Sequence, residues 1–425
     1  MVSQLNKWIR NIVIDNYMWY CAIDAIVLLI TGKSIIGYIL TPILLYFLLF
    51  TSHRRKNIVI DFVMYAILFS MVISWLINSY AHWEVLVFRS ITGQMSIIIC
   101  YFIGQSLSEE EYNNLFRKAL LPTAILSIIG IYLFFFPTGW YLAQTADVNE
   151  YGILEATRMR SIFPSPYTLS YMSAILLTYI FYQVFKNNEP IKKYLIYIII
   201  FVLALLFCMQ RAPMGGCVIG LIGAVSYGAI YRHKLVMILK VSLAAIIAGI
   251  VIVTVLRKMN PEQFEYLQYK IESITEDKND FINDRYNIDY MDVRESWLGD
   301  GAGRHSPWAS KYNSTNMSDG QYKKIQQEQG DIGLSLYILF FALLALKCLT
   351  NIKNLSFELS LMIFLFFSMI GANPLSNLGI HGPIFFIIMG HISSFKKYER
   401  IDIEICLIPN YRQFLLAMEI NNKAI

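Results

Sequence analysis

The stretch "YLIYIIIFVLALLFCM" occupies residues 194–209, and "LVMILKVSLAAIIAGIVIVTVL" occupies residues 235–256. Both are continuous apolar runs that approach or reach the ~20 residues a helix needs to cross a bilayer. Strands of a membrane barrel alternate apolar and polar residues, so continuous runs exclude strands as the main element. The composition agrees. Of 425 residues, 56% are hydrophobic and 15% charged, and the mean hydropathy is +0.50. A soluble domain carries about 25% charged residues. The predicted fold class is an all-α polytopic integral membrane protein.

The same length criterion predicts about 12 spans along the chain. They lie near residues 14–31, 34–51, 57–77, 85–104, 119–137, 167–185, 194–210, 214–231, 235–256, 331–349, 355–372 and 382–395. Spans one to nine thus fill 1–256, with a short loop at 138–166. A large loop follows at 257–330, then the last three spans over 331–395 and a tail at 396–425. "HRRK" (53–56), "FRK" (116–118), Lys186 with Lys192 and Lys193, "RHK" (232–234), Lys353 and "KKYER" (396–400) fall on alternate sides of successive spans. Short cytoplasmic loops collect Lys and Arg, so these loops and both termini are expected in the cytoplasm. The two long loops then face outwards. Long loops in a compact architecture are usually functional. The second reads as a small helical cap, with residues 261–277 as a surface helix.

The net charge of +5 is what such basic loops give and calls for no nucleic-acid partner. The first apolar run lacks a small-residue cleavage site and reads as a signal anchor or first span. Cys21, Cys100, Cys208, Cys217, Cys348 and Cys406 match no metal or disulfide spacing. They read as small buried hydrophobes, with Cys406 in the tail. The sequons at Asn313 and Asn316 read as chance occurrences.

Within "LLFCMQRAPMGGCVIGLIG" (205–223), Gln210 and Arg211 separate two spans almost without a loop. The span count puts Arg211 on the outer side, where short loops normally avoid cations. It either snorkels to lipid phosphates or binds an anion. Pro213, Gly215 and Gly216 suit the start of a helix whose N–H groups and dipole favour negative charge, and guanidinium binds phosphate bidentately. "RMRSIFPSPY" (158–167) places Arg158 and Arg160 just before another span, and the two prolines fix its approach. "NDRYNIDYMDVRESWLGDGAGR" (283–304) adds Arg285 and Arg294 ahead of a glycine-rich turn. Basic surface loops and a solvated helix face are the plainer readings of these two clusters.

The order of these pieces resembles the O-antigen polymerase (Wzy) family, within the O-antigen ligase and polymerase superfamily. The pattern is an outer loop with Arg and "F-x-x-P", then a hinge with "x-R-x-x-x-G". A large outer loop follows, carrying an Arg, a Trp and "GDGAG" (299–303) and closing with "DGQYKKIQQEQGDIG" (319–333). The resemblance covers about residues 150–350. It implies a GT-C-like inverting glycosyltransferase of the bacterial inner membrane, with its active site on the periplasmic side. The implied substrates are oligosaccharide repeat units on undecaprenyl diphosphate, within the membrane lipid, and the implied partners include a chain-length regulator. By match to the family pattern, Arg160, Arg211 and Arg285 are expected on the diphosphate, with Arg158 and Arg294 ranking after them. Arginines aimed at a leaving diphosphate stabilise the charge it develops. There is no outer Asp-x-Asp pair, so no metal or other cofactor is expected.

Inversion needs a base for the acceptor hydroxyl. The ligase branch has His-Asn where this chain has Asp319-Gly320, which favours polymerase and makes Asp319 the leading candidate. Glu328, His305 and His381 are the others, although a lone loop histidine such as His305 is more often a surface residue. Trp297, Trp308, Tyr312 and Tyr322 either stack on sugars or pack the cap. Asp24, Asp61 and Arg89 fall within apolar spans and are expected to face protein or water. A ligase, or a flippase for lipid-linked oligosaccharides, would share much of this pattern. The unlike halves argue against the paired repeats of a transporter.

Overall fold

The computed structural model describes residues 15–31, 57–77, 96–136, 138, 158–163, 165–232, 254, 257–258, 297–305, 320–375 and 381–396. The chain divides into Met1–Ser394 and Phe395–Ile425, and all helices below belong to the first unit. Among the described residues there are ten α-helices, one short 3-10 helix and no strand. They are α1 (Tyr17–Thr31), α2 (Ile58–Ile77), α3 (Ser96–Ser106), α4 (Glu109–Phe135) and α5 (Pro166–Lys186). Then come the 3-10 turn (Ile191–Tyr194), α6 (Leu195–Cys208), α7 (Arg211–Arg232), α8 (Gln321–Thr350), α9 (Ile352–Gly371) and α10 (His381–Ser394). Seven of these helical segments are long and apolar enough to cross a membrane. The protein is an α-helical membrane protein. The expected spans at 34–51 and most of 235–256 lie outside the described residues, as do 85–95, 261–277, Arg89, Trp308, Tyr312, the two sequons and Cys406.

Burial is inverted relative to a soluble bundle. On α2, Ile58, Phe62, Tyr65, Phe69 and Leu76 form an exposed apolar stripe at helical spacing, while Asp61, Ser70 and Ser74 are buried. In lipid, polar groups turn inwards to find partners. Asp61 accepts hydrogen bonds from the Tyr101 hydroxyl at 2.7 Å and from the Gln105 amide, and the Tyr101 oxygen, its one proton given to Asp61, accepts from the Ser393 hydroxyl at 2.7 Å. These contacts tie α2, α3 and α10 together. Helix α5 is the centre: every residue from Thr168 to Ile180 is buried. It packs on α4, α6, α7 and α9. Helix–helix contact in lipid relies on close backbone approach at small residues. On α7 a side chain at Gly216 would strike the Phe364 ring of α9, and one at Gly220 would strike Thr178 of α5.

Two helices start earlier than the apolar runs predict. Helix α4 begins at Glu109 rather than at 119. Its N-terminus is a capping box, in which Ser108 Oγ accepts from the Glu111 N–H at 3.2 Å and Glu111 Oε2 accepts from the Ser108 N–H at 2.8 Å. Glu109, Glu110 and Glu111 also suit the positive end of the helix. Arg117 and Lys118 therefore sit on the helix, exposed, rather than in a loop. Helix α8 begins at Gln321, inside the expected large loop, and is broken at Gly330 (φ 68°, ψ −169°). It is thus a short helix followed by the span expected at 331–349.

Hydrogen bonds sort the helix ends into two groups. At one end, Lys186 donates to the Asn354 carbonyl, Tyr227 to that of Lys353, and Lys347 to that of Ser393. His391 Nε2 stands 3.4 Å from Glu109 Oε2 at this end. The basic positions Lys186, Lys347 and Lys353 thus gather at one end of the bundle. At the other end, Ser368 Oγ donates to the Ala212 carbonyl at 3.4 Å, and the Gln321 N–H donates to that of Ala372 at 3.1 Å. Arg211 and the start of α8 therefore share the second end.

Candidate functional site

The second end is built from three pieces of chain. The first is the segment before α5. Its Met159 N–H donates to the Phe207 carbonyl at the end of α6, at 3.0 Å. Ser161, with a left-handed φ of 58°, turns its hydroxyl onto the Leu126 carbonyl of α4 at 2.7 Å. Ser165 caps α5 by accepting from the Tyr167 N–H, and Pro166 occupies the first turn, where its missing N–H costs nothing. Met159 is fully buried, while Arg158 and Arg160 on either side are half-buried.

The second piece is the hinge between α6 and α7. It is tighter than expected. Met209 adopts the left-handed conformation (φ 52°), Gln210 is buried with its amide on the Cys208 carbonyl at 3.2 Å, and α7 starts at Arg211 itself. Arg211 is half-buried. Only Met209 and Gln210 separate it in sequence from Cys208, next to the Phe207 carbonyl that holds Met159. The two arginine-bearing segments predicted from sequence are thus joined through the end of α6.

The third piece is the break in α8 together with the glycine-rich turn. Trp297 and Leu298 form a turn, Gly299, Gly301 and Gly303 have positive φ, and the turn runs on to His305. A broken helix leaves carbonyls open on one side of the break and N–H groups on the other. The turn fills both. Asp300 N–H donates to the Gln327 carbonyl at 2.7 Å, Gly301 N–H to the Glu328 carbonyl at 3.2 Å, and Ile332 N–H to the Trp297 carbonyl at 3.3 Å. Ser74 of α2 adds its hydroxyl to the Glu328 carbonyl. The two backbones are in direct contact. A side chain at Gly299 would strike the backbone at Glu328 to Gly330, and one at Gly330 would strike the Trp297 carbonyl. The "GDGAG" and "E-x-G" motifs, far apart in sequence, are two halves of one joint.

Polar side chains gather at this joint. Glu328 is 1% exposed, and its Oε1 accepts the His305 N–H at 3.1 Å and stands 3.9 Å from Lys324 Nζ. His305 is buried, contrary to the surface position expected of a lone loop histidine, and its Nε2 lies 3.5 Å from Asp300 Oδ2. Lys323 is buried as well. Neither ring nitrogen of His305 has a hydrogen-bond partner. Of the expected bases, Glu328 and His305 come together here. Glu328 already spends one carboxylate oxygen on the joint. Asp319 and the arginines Arg285 and Arg294 lie outside the described residues. His381 opens α10. Trp297 is 77% exposed, and Tyr322 donates to the Phe366 carbonyl at 3.5 Å.

Sequence reasoning missed Asp300, Lys323 and Lys324. The signal for Lys324 was the i,i+4 spacing to Glu328. That spacing carries weight only on a helix, and the apolar runs place 320–330 in a loop. A small cavity lies behind the short helix, lined by Ile98, Gln321, Ile325, Gln329, Tyr337 and Phe386 among others. Among the described residues no three His, Cys, Asp or Glu side chains cluster as metal ligands. No protein-family model, curated protein or solved structure matches the chain.

Proposed function

We propose that the protein is a polymerase of the O-antigen (Wzy) type. It joins undecaprenyl-diphosphate-linked repeat units at the periplasmic face of the bacterial inner membrane, in a GT-C-like arrangement of twelve spans with both termini in the cytoplasm. One observation carries the reading. The segment of Arg158 and Arg160, the Arg211 hinge and the His305–Glu328 joint all belong to the same end of the bundle. An inverting transfer from a lipid diphosphate needs cations for the leaving group and a base for the acceptor hydroxyl, within one site. In this reading Arg160, Arg211 and Arg285 hold the diphosphate, with Arg158 and Arg294 ranking after them. Asp319 remains the leading base candidate from the sequence, and His305 and Glu328, which meet at the joint, are the alternatives.

The break in α8 favours a second reading, because discontinuous helices also build the binding sites of transporters. One experiment separates the two. The lipopolysaccharide of a strain lacking the gene is run on a gel. Loss of a polymerase leaves lipid A–core carrying a single repeat unit, with the ladder gone. Loss of a flippase, or of a ligase, removes the single unit as well. A surviving ladder refutes the proposal.

A further inference from the structure

The first half of α8 carries two adjacent lysines, and among the described residues only one has a counter-charge. Lys324 faces Glu328. Lys323, about 100° further round the helix, is 9% exposed, and its Nζ is buried with no hydrogen-bond partner. In the docked turn the Arg304 Nε is likewise buried with no partner. The turn and this half-helix hold three basic side chains, Lys323, Lys324 and Arg304, against the carboxylates of Glu328 and Asp300 among their described residues. Asp331 lies beyond the break, exposed, and accepts from the Gln326 amide at 2.8 Å. Lys323 also stands in the first turn of its helix, where the dipole repels a cation. Burial without a counter-charge, a neighbouring lysine and a helix N-terminus all work against its ammonium. A bound anion relieves all three.

We infer that Lys323 and Arg304 form a site for a phosphate-bearing anion, at the junction of the 297–305 turn and the first half of α8. The ammonium supplies a compact charge with three donors, and the guanidinium supplies a directed N–H. The site itself does not depend on the polymerase reading. Its assignment to the diphosphate of a lipid carrier rests on that reading, since a free phosphate compound has the same chemistry.

The test uses the full chain, purified in detergent micelles and titrated with inorganic pyrophosphate and, separately, with farnesyl diphosphate. The wild type is expected to bind, and Lys323→Met and Arg304→Gln each to weaken binding about tenfold or more. Tighter binding of farnesyl diphosphate identifies a lipid headgroup, and equal binding identifies a free anion. A second measurement is the melting temperature without ligand. Lys323→Met should be at least as stable as the wild type, because it removes an uncompensated buried charge. The inference is overturned if the wild type binds neither probe, if Lys323→Met binds both as tightly as the wild type, or if that variant melts lower without ligand. Loss of the lipopolysaccharide ladder on deletion, together with no anion binding, would remove this site and leave the polymerase reading standing. Anion binding with a surviving ladder would do the reverse.

Discussion

The Glu328 carboxylate accepts the backbone N–H of His305 across 23 positions of sequence, at 3.1 Å, and so fastens the glycine-rich turn to the broken helix. The same oxygen faces Lys324. Glu328→Ala leaves a buried ammonium and a buried N–H without their acceptor, and is expected to cost about 3–5 kcal/mol. Glu328→Gln keeps the acceptor and should cost less. Adding Lys324→Met to Glu328→Ala should recover part of the loss, so the two changes are not additive. Melting temperatures of the purified variants in one detergent check this, and purely additive shifts would contradict the pairing.

Gly330 adopts a backbone conformation open essentially to glycine alone, and a side chain there meets the Trp297 carbonyl. Gly330→Ala is therefore expected to destabilise the protein by about 1–3 kcal/mol from backbone strain, with the steric clash in addition. The turn would be the first part to loosen. Limited proteolysis near residues 297–305 should quicken in this variant, and an unchanged cleavage rate would count against the joint.

Arg211→Lys keeps a positive charge at the hinge but loses the planar fork. If Arg211 grips a diphosphate, the lysine variant should shorten or abolish the polymer while inserting normally, and Arg211→Ala should abolish it. Gel profiles of complemented deletion strains decide this. Near-normal chain length in Arg211→Ala would end its role in binding.

Asp61 is the acceptor for both Tyr101 and Gln105. Asp61→Ala removes the acceptor these two donors share and leaves them to share Ser393 Oγ, at a cost of about 1–3 kcal/mol. Asp61→Asn retains an acceptor and should be milder. Neither change should alter polymer length in the protein that does insert, because this network does not touch the joint. Thermal stability read beside the gel profile tests both halves of the statement.

The apolar runs were legible, because a lipid-facing helix must be apolar over most of its length. Helices α5, α6, α7, α9 and α10 begin and end within a few residues of the runs that predict them. Helices α4 and α8 begin well ahead of their apolar runs for one physical reason. Hydropathy marks where a helix meets lipid, whereas capping and hydrogen bonding decide where it begins. Ser108 with Glu111, and the turn that closes the break at Gly330, lie outside the apolar runs. The arginines were legible as charges in the wrong place. The joint was not, because it consists of backbone hydrogen bonds between Trp297–Gly301 and Gln327–Ile332. Its sequence trace is only a scatter of glycines, and the burial of His305 follows from that hidden contact.

The break in α8 also bears on how the chain enters its membrane. A continuous helix can pass sideways into lipid as soon as it forms, since all its backbone groups are paired. Helix α8 differs, because the Gln327 and Glu328 carbonyls and the Ile332 N–H are satisfied by residues made earlier in synthesis. The break is fully paired only once the 297–301 turn has docked on it, so the seating of this end of α8 is coupled to the folding of chain made before it.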